Sequence, residues 1–207
     1  MTLDQLTAWM TEFRRLVTEQ RDYLTELDSA IGDADHGTNM TRGMTAAMTK
    51  VDAAPSADAG EFFKIIGMTL VSSVGGASGP LYGTFFLRLG TSAGTADTLD
   101  GTALGAALRA GLEGVVARGK AQLEDKTMLD AMIPAVGAFQ TALEGGADLP
   151  AAADAALAAA EQGRDATEPM LAKKGRASYL GERSIGHIDP GATSTALLFC
   201  ALATALR

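Results

Sequence analysis

Three carboxylates, Asp28, Asp33 and Asp35, fall in the single run Leu27-Asp28-Ser29-Ala30-Ile31-Gly32-Asp33-Ala34-Asp35-His36-Gly37-Thr38-Asn39-Met40. On a helix Asp33 and Asp35 would point to different sides, because residues two apart do not share a face. A loop bracketed by Gly32 and Gly37 lets them converge, since glycine turns the backbone through φ > 0 without steric cost. Anionic oxygens held that close repel one another unless a cation sits between them. Hard oxygen donors select Mg²⁺ or Ca²⁺. Past Gly37 the residues Met40, Met44, Ala47, Met48 and Val51 recur at helical spacing, so the loop opens a helix. The free N–H groups of a helix start favour an anion. Carboxylates for a metal beside a helix start for phosphate are the parts of a metal–nucleotide site.

A calcium-binding EF-hand does not fit. Counted from Asp33, position five is Gly37, position six is Thr38 and position twelve is Met44, where an oxygen ligand, glycine and glutamate are needed. Capping of the following helix by Asp33 or Asp35 would explain one carboxylate, not three. A second glycine-rich loop, Gly75-Gly76-Ala77-Ser78-Gly79-Pro80-Leu81-Tyr82-Gly83, lies between two apolar helical stripes. It reads either as a connection with Ser78 as a cap or as an anion-binding concavity of successive N–H groups, and its glycine density favours the second. The run Gly114-Val115-Val116-Ala117-Arg118-Gly119-Lys120 nearly spells a P-loop, but it ends in Ala121 and follows a helical pattern, so it is rejected as one. Between Lys173 and Thr193 the basic residues are the densest of the chain. They suit a solvated charge run, although Arg176 and Arg183 could engage phosphates. Asp189 before Pro190 is a cap followed by a first-turn proline. His36 and His187 form no nucleophilic arrangement with serine or cysteine, and both are read as bonding a ligand or ordering their loops.

These loops must be carried by helices. Leu6, Trp9, Met10, Phe13, Leu16 and Val17 form one apolar stripe, and Phe62, Ile65, Ile66, Thr69, Leu70 and Val71 a second. Leu81, Phe85, Phe86 and Leu89 make a third behind Pro80. Leu104, Leu108, Leu112, Val115 and Val116 follow, and then Met128, Met132, Val136, Phe139 and Leu143. Residues 150–162 are dense in alanine, the strongest helix former. No alternating β-branched run is present, so the expected class is all-α with about eight helices. A length of 207 residues suits one domain, and 53–58 reads as a connection within it. A net charge of −8 argues against nucleic acid as the main partner. No apolar stretch reaches the ~18–20 residues of a membrane span, and no leader pattern is seen, so a cytoplasmic protein is expected. The single cysteine, Cys200, excludes an internal disulfide and reads as a small buried hydrophobe.

Taken together, the blocks resemble the nucleotide-binding L subunits of dihydroxyacetone kinase. The matching motifs are Asp28 with 32–40, 75–83, Asp125-Lys126-Thr127-Met128-Leu129-Asp130, Lys174-Gly175-Arg176-Ala177-Ser178-Tyr179-Leu180 and Asp189-Pro190-Gly191-Ala192, in family order over essentially the whole chain. The resemblance implies a single-domain barrel of antiparallel amphipathic helices over 1–207 with a nucleotide at one end. It implies two Mg²⁺ ions ligated by Asp28, Asp33 and Asp35. His36, Gly37, Thr38 and Asn39, with Ala77 and Ser78, would contact the phosphates of ADP or ATP. Gly119, Met128, Arg176, Asp189, Pro190 and Gly191 would line the rest of the pocket.

In the form linked to the phosphotransferase system, bound ADP takes phosphate from a phosphohistidine on an M subunit and passes it to dihydroxyacetone on a K subunit. No side chain of the L subunit is itself phosphorylated. A related subunit binds a transcription regulator, which adds a further candidate partner. The alternatives are an ATP-exchanging kinase subunit for dihydroxyacetone or another small sugar, the nucleotide domain of a fatty-acid kinase, and a non-catalytic metal-binding or regulatory module.

Overall fold

The computed structural model describes residues 1–54 and 56–207; Pro55, in the connection at 53–58, lies outside them. Nine α-helices account for most of these residues. They are α1 (Leu3–Glu19), α2 (Arg21–Ile31), α3 (His36–Ala53), α4 (Ala59–Ser73), α5 (Ser78–Ala93), α6 (Gly101–Gly119), α7 (Leu129–Glu144), α8 (Leu149–Ala166) and α9 (Pro190–Ala205). A 3₁₀ helix, Arg176–Ser184, precedes α9 and is interrupted at Gly181, where φ is 57°. Among the described residues the only β-pairing is an isolated bridge between Thr2 and Thr98. The all-α expectation holds.

The stripes read from the sequence become α1 and α4 to α7, and the alanine-dense stretch becomes α8. The helix that periodicity does not reveal is α2, which follows α1 after Gln20 alone. Its buried residues are Leu24, Asp28 and Ile31, so a carboxylate occupies a position on the inward stripe. Aspartate side chains cap four of the helices. The side chains of Asp58, Asp100, Asp148 and Asp189 accept from the N–H groups of Glu61, Ala103, Ala151 and Ala192, each satisfying a donor that has no partner within its helix.

Neighbour contacts run α1–α3–α4–α5–α6–α7–α8–α9 and return to α1, while α2 packs against α3, α9 and the 3₁₀ helix. The interior is aromatic. Trp9 meets Phe63 edge-on at 6.0 Å, Phe63 stacks on Phe86 at 6.2 Å, and the Trp9 Nε1–H donates to the Leu198 carbonyl at 2.9 Å. Cys200 is half-buried, which corrects the fully buried reading: it lies on a part of α9 not wholly covered by neighbours.

Helices α4 and α5 approach through their glycines. A Cβ on Gly67 would stand 2.8 Å from the Gly83 carbonyl, and one on Gly83 would stand 2.9 Å from the Gly67 carbonyl. Backbone cannot yield there as a flexible side chain would. Gly67→Val is therefore expected to cost about 1–3 kcal/mol of stability by overpacking, measured as a lower urea midpoint with an unchanged m-value. A midpoint equal to that of the parent chain would contradict this close crossing.

Candidate functional site

A cleft of about 480 Å³ receives the first residues of four helices: His36 of α3, Ser78 of α5, Leu129 of α7 and Pro190 of α9. Four N-terminal dipole ends therefore face one space, a concentration of partial positive charge that favours an anion. Ile31 and Gly119, the last residues of α2 and α6, complete the wall. Ile31, Leu81, Val115 and Met128 make part of the lining apolar, and the volume lies in the range of small-ligand sites.

The carboxylates meet at this cleft. One oxygen from each of Asp28, Asp33 and Asp35 lies within 4.8 Å of the others. Asp28 comes from the last turn of α2 and is buried, Asp33 is exposed, and Asp35 is intermediate. The Asp28 Oδ2 accepts from the N–H groups of Asp35 at 2.8 Å and His36 at 3.1 Å, so a neighbouring helix caps α3 and folds the loop back over itself. Asp35 occupies the cap position but makes no capping bond with its own side chain.

The glycines act differently from the sequence expectation. Gly32 has φ −141° and Gly37 lies inside α3; the loop residue with positive φ is Ala34, at 61°. Gly32 is needed for room, because a Cβ there would collide with Asp28 Oδ1, and Gly37 because a Cβ would strike the Arg21 carbonyl. Among the described residues the only cation paired with the cluster is Arg176, whose Nη2 lies 3.0 Å from Asp33 Oδ2 in a largely exposed pair. Three hard oxygen donors with so little compensation fit a divalent cation.

His36 is buried and sits between two hydroxyls. Its Nδ1 is 3.0 Å from Ser78 Oγ and its Nε2 is 2.9 Å from Ser194 Oγ. Burial lowers its pKa to about 4 against the opposing pull of the Asp28 charge, so the ring is neutral near pH 7. Ser78 is the first residue of α5, after an Ala77 cap position with no side-chain bond, so its hydroxyl serves His36 and not the helix end.

The opposite wall is the segment 120–128, where Lys120, Glu124 and Lys126 all take positive φ. Asp130 holds it by accepting from the N–H groups of Thr127 at 2.7 Å and Glu124 at 2.5 Å. Lys126 is 1% exposed, and its ammonium donates to the carbonyls of Thr167, Glu168 and Met170. Those bonds tie this wall to the segment following α8. Asp189 caps α9 at the cleft, and burial pushes its carboxyl up to about 7 despite the Ala192 N–H bond.

Twelve of the residues singled out from the sequence line the cleft: Asp28, Asp33, Asp35, His36, Ala77, Ser78, Gly119, Met128, Arg176, Asp189, Pro190 and Gly191. Gly37, Thr38 and Asn39 do not. Gly37 packs against the first turn of α2, Thr38 is exposed, and Asn39 lies beneath Gly75, where it accepts from Arg42 at 2.6 Å. Arg183 is also off the cleft. Tyr82, Lys126 and Leu129 line it without having been assigned a role from sequence, and Ser194 supports it from behind. Gly119 ends α6 and Lys120 caps it in the left-handed region, which agrees with rejecting a P-loop.

The DAK2 domain model matches residues 30–204. The chain belongs to the DAK2 domain family. Among relatives, this DAK2 domain is 46% identical over 203 residues to the PEP-dependent dihydroxyacetone kinase, ADP-binding subunit DhaL of Escherichia coli (strain K12), covering 98% of this chain and 97% of that one. It is 44% identical to the PTS-dependent dihydroxyacetone kinase, ADP-binding subunit DhaL of Lactococcus lactis subsp. lactis (strain IL1403), covering 96% and 95% of the two chains. A crystal structure of the dihydroxyacetone kinase from C. freundii in complex with AMP-PNP and Mg²⁺ aligns with a TM-score of 0.73 at 26% identity. That alignment covers 96% of this chain but 33% of the larger one, so the DAK2 domain spans about a third of the length of that kinase.

Proposed function

We propose that this chain is the ADP-binding subunit of a dihydroxyacetone kinase, a phosphotransferase in which bound nucleotide relays a phosphoryl group to dihydroxyacetone held by a K-type partner. The observation that carries the reading is the meeting of Asp28, Asp33 and Asp35 at a cleft faced by four helix starts. Kinship to the ADP-binding subunits supports it. In this proposal the three aspartates hold magnesium, as two ions, and the chain acts as one nucleotide-binding unit. The helical barrel implied by the resemblance is part of the same reading, supported by the cycle of helix contacts. So are an M-type phosphohistidine donor, a cytoplasmic location, and a transcription regulator as a further partner.

Mg²⁺ bound there supplies neutralisation of the phosphate charge. The chain's own groups orient the nucleotide. In this reading the N–H groups at the starts of α3 and α5, where His36 and Ser78 line the cleft, favour the phosphate oxygens. Arg176 stands at the rim near Asp33, and Ile31, Leu81, Val115 and Met128 give the nucleoside an apolar bed. No residue is a covalent carrier, because phosphoryl transfer mainly needs positioning and charge stabilisation.

Thermal melting tests the reading. At a hundredfold excess of Mg–ADP over its Kd the native state gains about 2.7 kcal/mol, a rise in Tm of roughly 5–10 °C for a domain of this size. A chelator reverses the rise. Melting indifferent to both Mg–ADP and chelator refutes the proposal.

A further inference from the structure

His36 belongs to a chain of side-chain hydrogen bonds that runs beneath the cleft and reaches two of its walls. Ser194 Oγ lies 2.9 Å from His36 Nε2, 2.8 Å from the Tyr82 hydroxyl and 3.1 Å from the Gly191 carbonyl. Tyr82 is also 3.1 Å from Thr195 Oγ1, and Ser194, Thr195 and Tyr82 are all at most 1% exposed. The proton inventory gives one arrangement that satisfies every member. Ser194 has one hydroxyl proton, and a carbonyl can only accept it, so Ser194 donates to Gly191. Its oxygen then accepts from Tyr82 and from the ring, which requires the proton of neutral His36 to sit on Nε2. Thr195 supplies the donor for the Tyr82 oxygen. Nδ1 is bare and takes the Ser78 hydroxyl proton. Every member is satisfied, but Ser78 has no proton left for a ligand in the cleft.

One other arrangement also satisfies the ring. With the proton on Nδ1, the ring donates to Ser78 Oγ, and Ser194 turns its proton from the Gly191 carbonyl to Nε2. The Ser78 hydroxyl is then free to donate into the cleft. This arrangement gives up the Ser194–Gly191 bond, so it is disfavoured unless an acceptor stands before Ser78. An anionic phosphate oxygen is such an acceptor.

We propose that His36 is a tautomeric switch that couples phosphate contact at Ser78 to the start of α9 at Gly191, with Ser194 as its positioning residue. The ring carries one proton in both states. The two arrangements hold the same number of protons, so the net charge is unchanged. The two arrangements form a two-state element that the ligand biases through its differential contact with one of them. The inference rests on the proposed nucleotide reading, since it needs an anion at Ser78.

The test is ¹⁵N NMR of the full chain labelled at histidine, with His187→Gln leaving a single imidazole. Without ligand, Nε2 is expected to give the protonated signal and Nδ1 the unprotonated one. Saturating Mg–ADP is expected to exchange them. Ser194→Ala removes the acceptor for the Nε2 proton and is expected to produce the Nδ1-protonated form without nucleotide. An Nδ1-protonated ring in the free parent chain overturns the switch. So does an Nε2-protonated ring in a sample where calorimetry shows Mg–ADP bound, and in that case the nucleotide reading stands. An absence of any heat with Mg–ADP removes the nucleotide reading and the switch together.

Discussion

Replacing Asp28, Asp33 or Asp35 by asparagine is expected to weaken Mg²⁺-dependent ADP binding on the order of 100- to 1000-fold, about 2.7–4.1 kcal/mol. Each change keeps the size of the side chain and one acceptor oxygen but removes a charge from a cluster whose oxygens lie within 4.8 Å. Affinity for a hard cation depends on that charge count. Stability without ligand should respond in the opposite sense or not at all, because one fewer carboxylate lessens repulsion where no metal balances it. Asp28→Asn carries an additional role, since the new side-chain oxygen must still accept from the Asp35 and His36 N–H groups. Asp33→Asn also weakens the rim pair with Arg176, an exposed contact worth little by itself. Isothermal titration of each variant with Mg²⁺ and ADP reads the effect. Unchanged affinity in all three variants refutes the metal assignment.

The sequence is informative where a pattern is local. Apolar stripes at helical spacing identify α1 and α4 to α7, the Asp-Pro pair marks the start of α9, and the acidic run marks the cleft, because each depends on neighbours a few residues apart. Helix α2 is hidden for a physical reason: Asp28 sits between Leu24 and Ile31 on the buried stripe, so the residue that serves the site is the one that breaks the hydrophobic pattern. The role of Gly32 is hidden for a related reason. Spacing suggests conformational freedom, but the requirement is space for Asp28 Oδ1, which is visible only once the loop is folded back. Ser194 and Tyr82 are 112 residues apart yet share a hydrogen bond, and Lys126 reaches carbonyls more than 40 positions away. Each of these residues reads alone as an ordinary part of a helix or a basic loop position. Long-range polar satisfaction leaves no periodic trace in the chain, and it holds much of the rear of this cleft together.

Phosphoryl transfer to dihydroxyacetone is expected to occur only when a K-type subunit is added to this chain. The cleft is open to solvent, and its polar groups match a nucleotide and a cation; the sequence motifs supply no separate sugar site. The acceptor hydroxyl must therefore be brought in line with the terminal phosphate by another protein. Such positioning converts an encounter in solution into a reaction between fixed groups, with effective molarities that correspond to about 7–11 kcal/mol of barrier. Without it, magnesium and helix N–H groups stabilise bound nucleotide but have no acceptor in line with it. The assay combines the purified chain, Mg²⁺ and dihydroxyacetone with either ATP or a phosphohistidine donor, with and without the K-type subunit, and follows sugar phosphate. Product dependent on the K-type subunit and on the phosphohistidine donor is the expected result. Turnover with ATP but not with that donor would identify a nucleotide-exchanging kinase on the same site, because ADP would then have to leave at every cycle. Rapid product formation by this chain alone would overturn the shared-site mechanism, since it would require an acceptor site built entirely from these 207 residues.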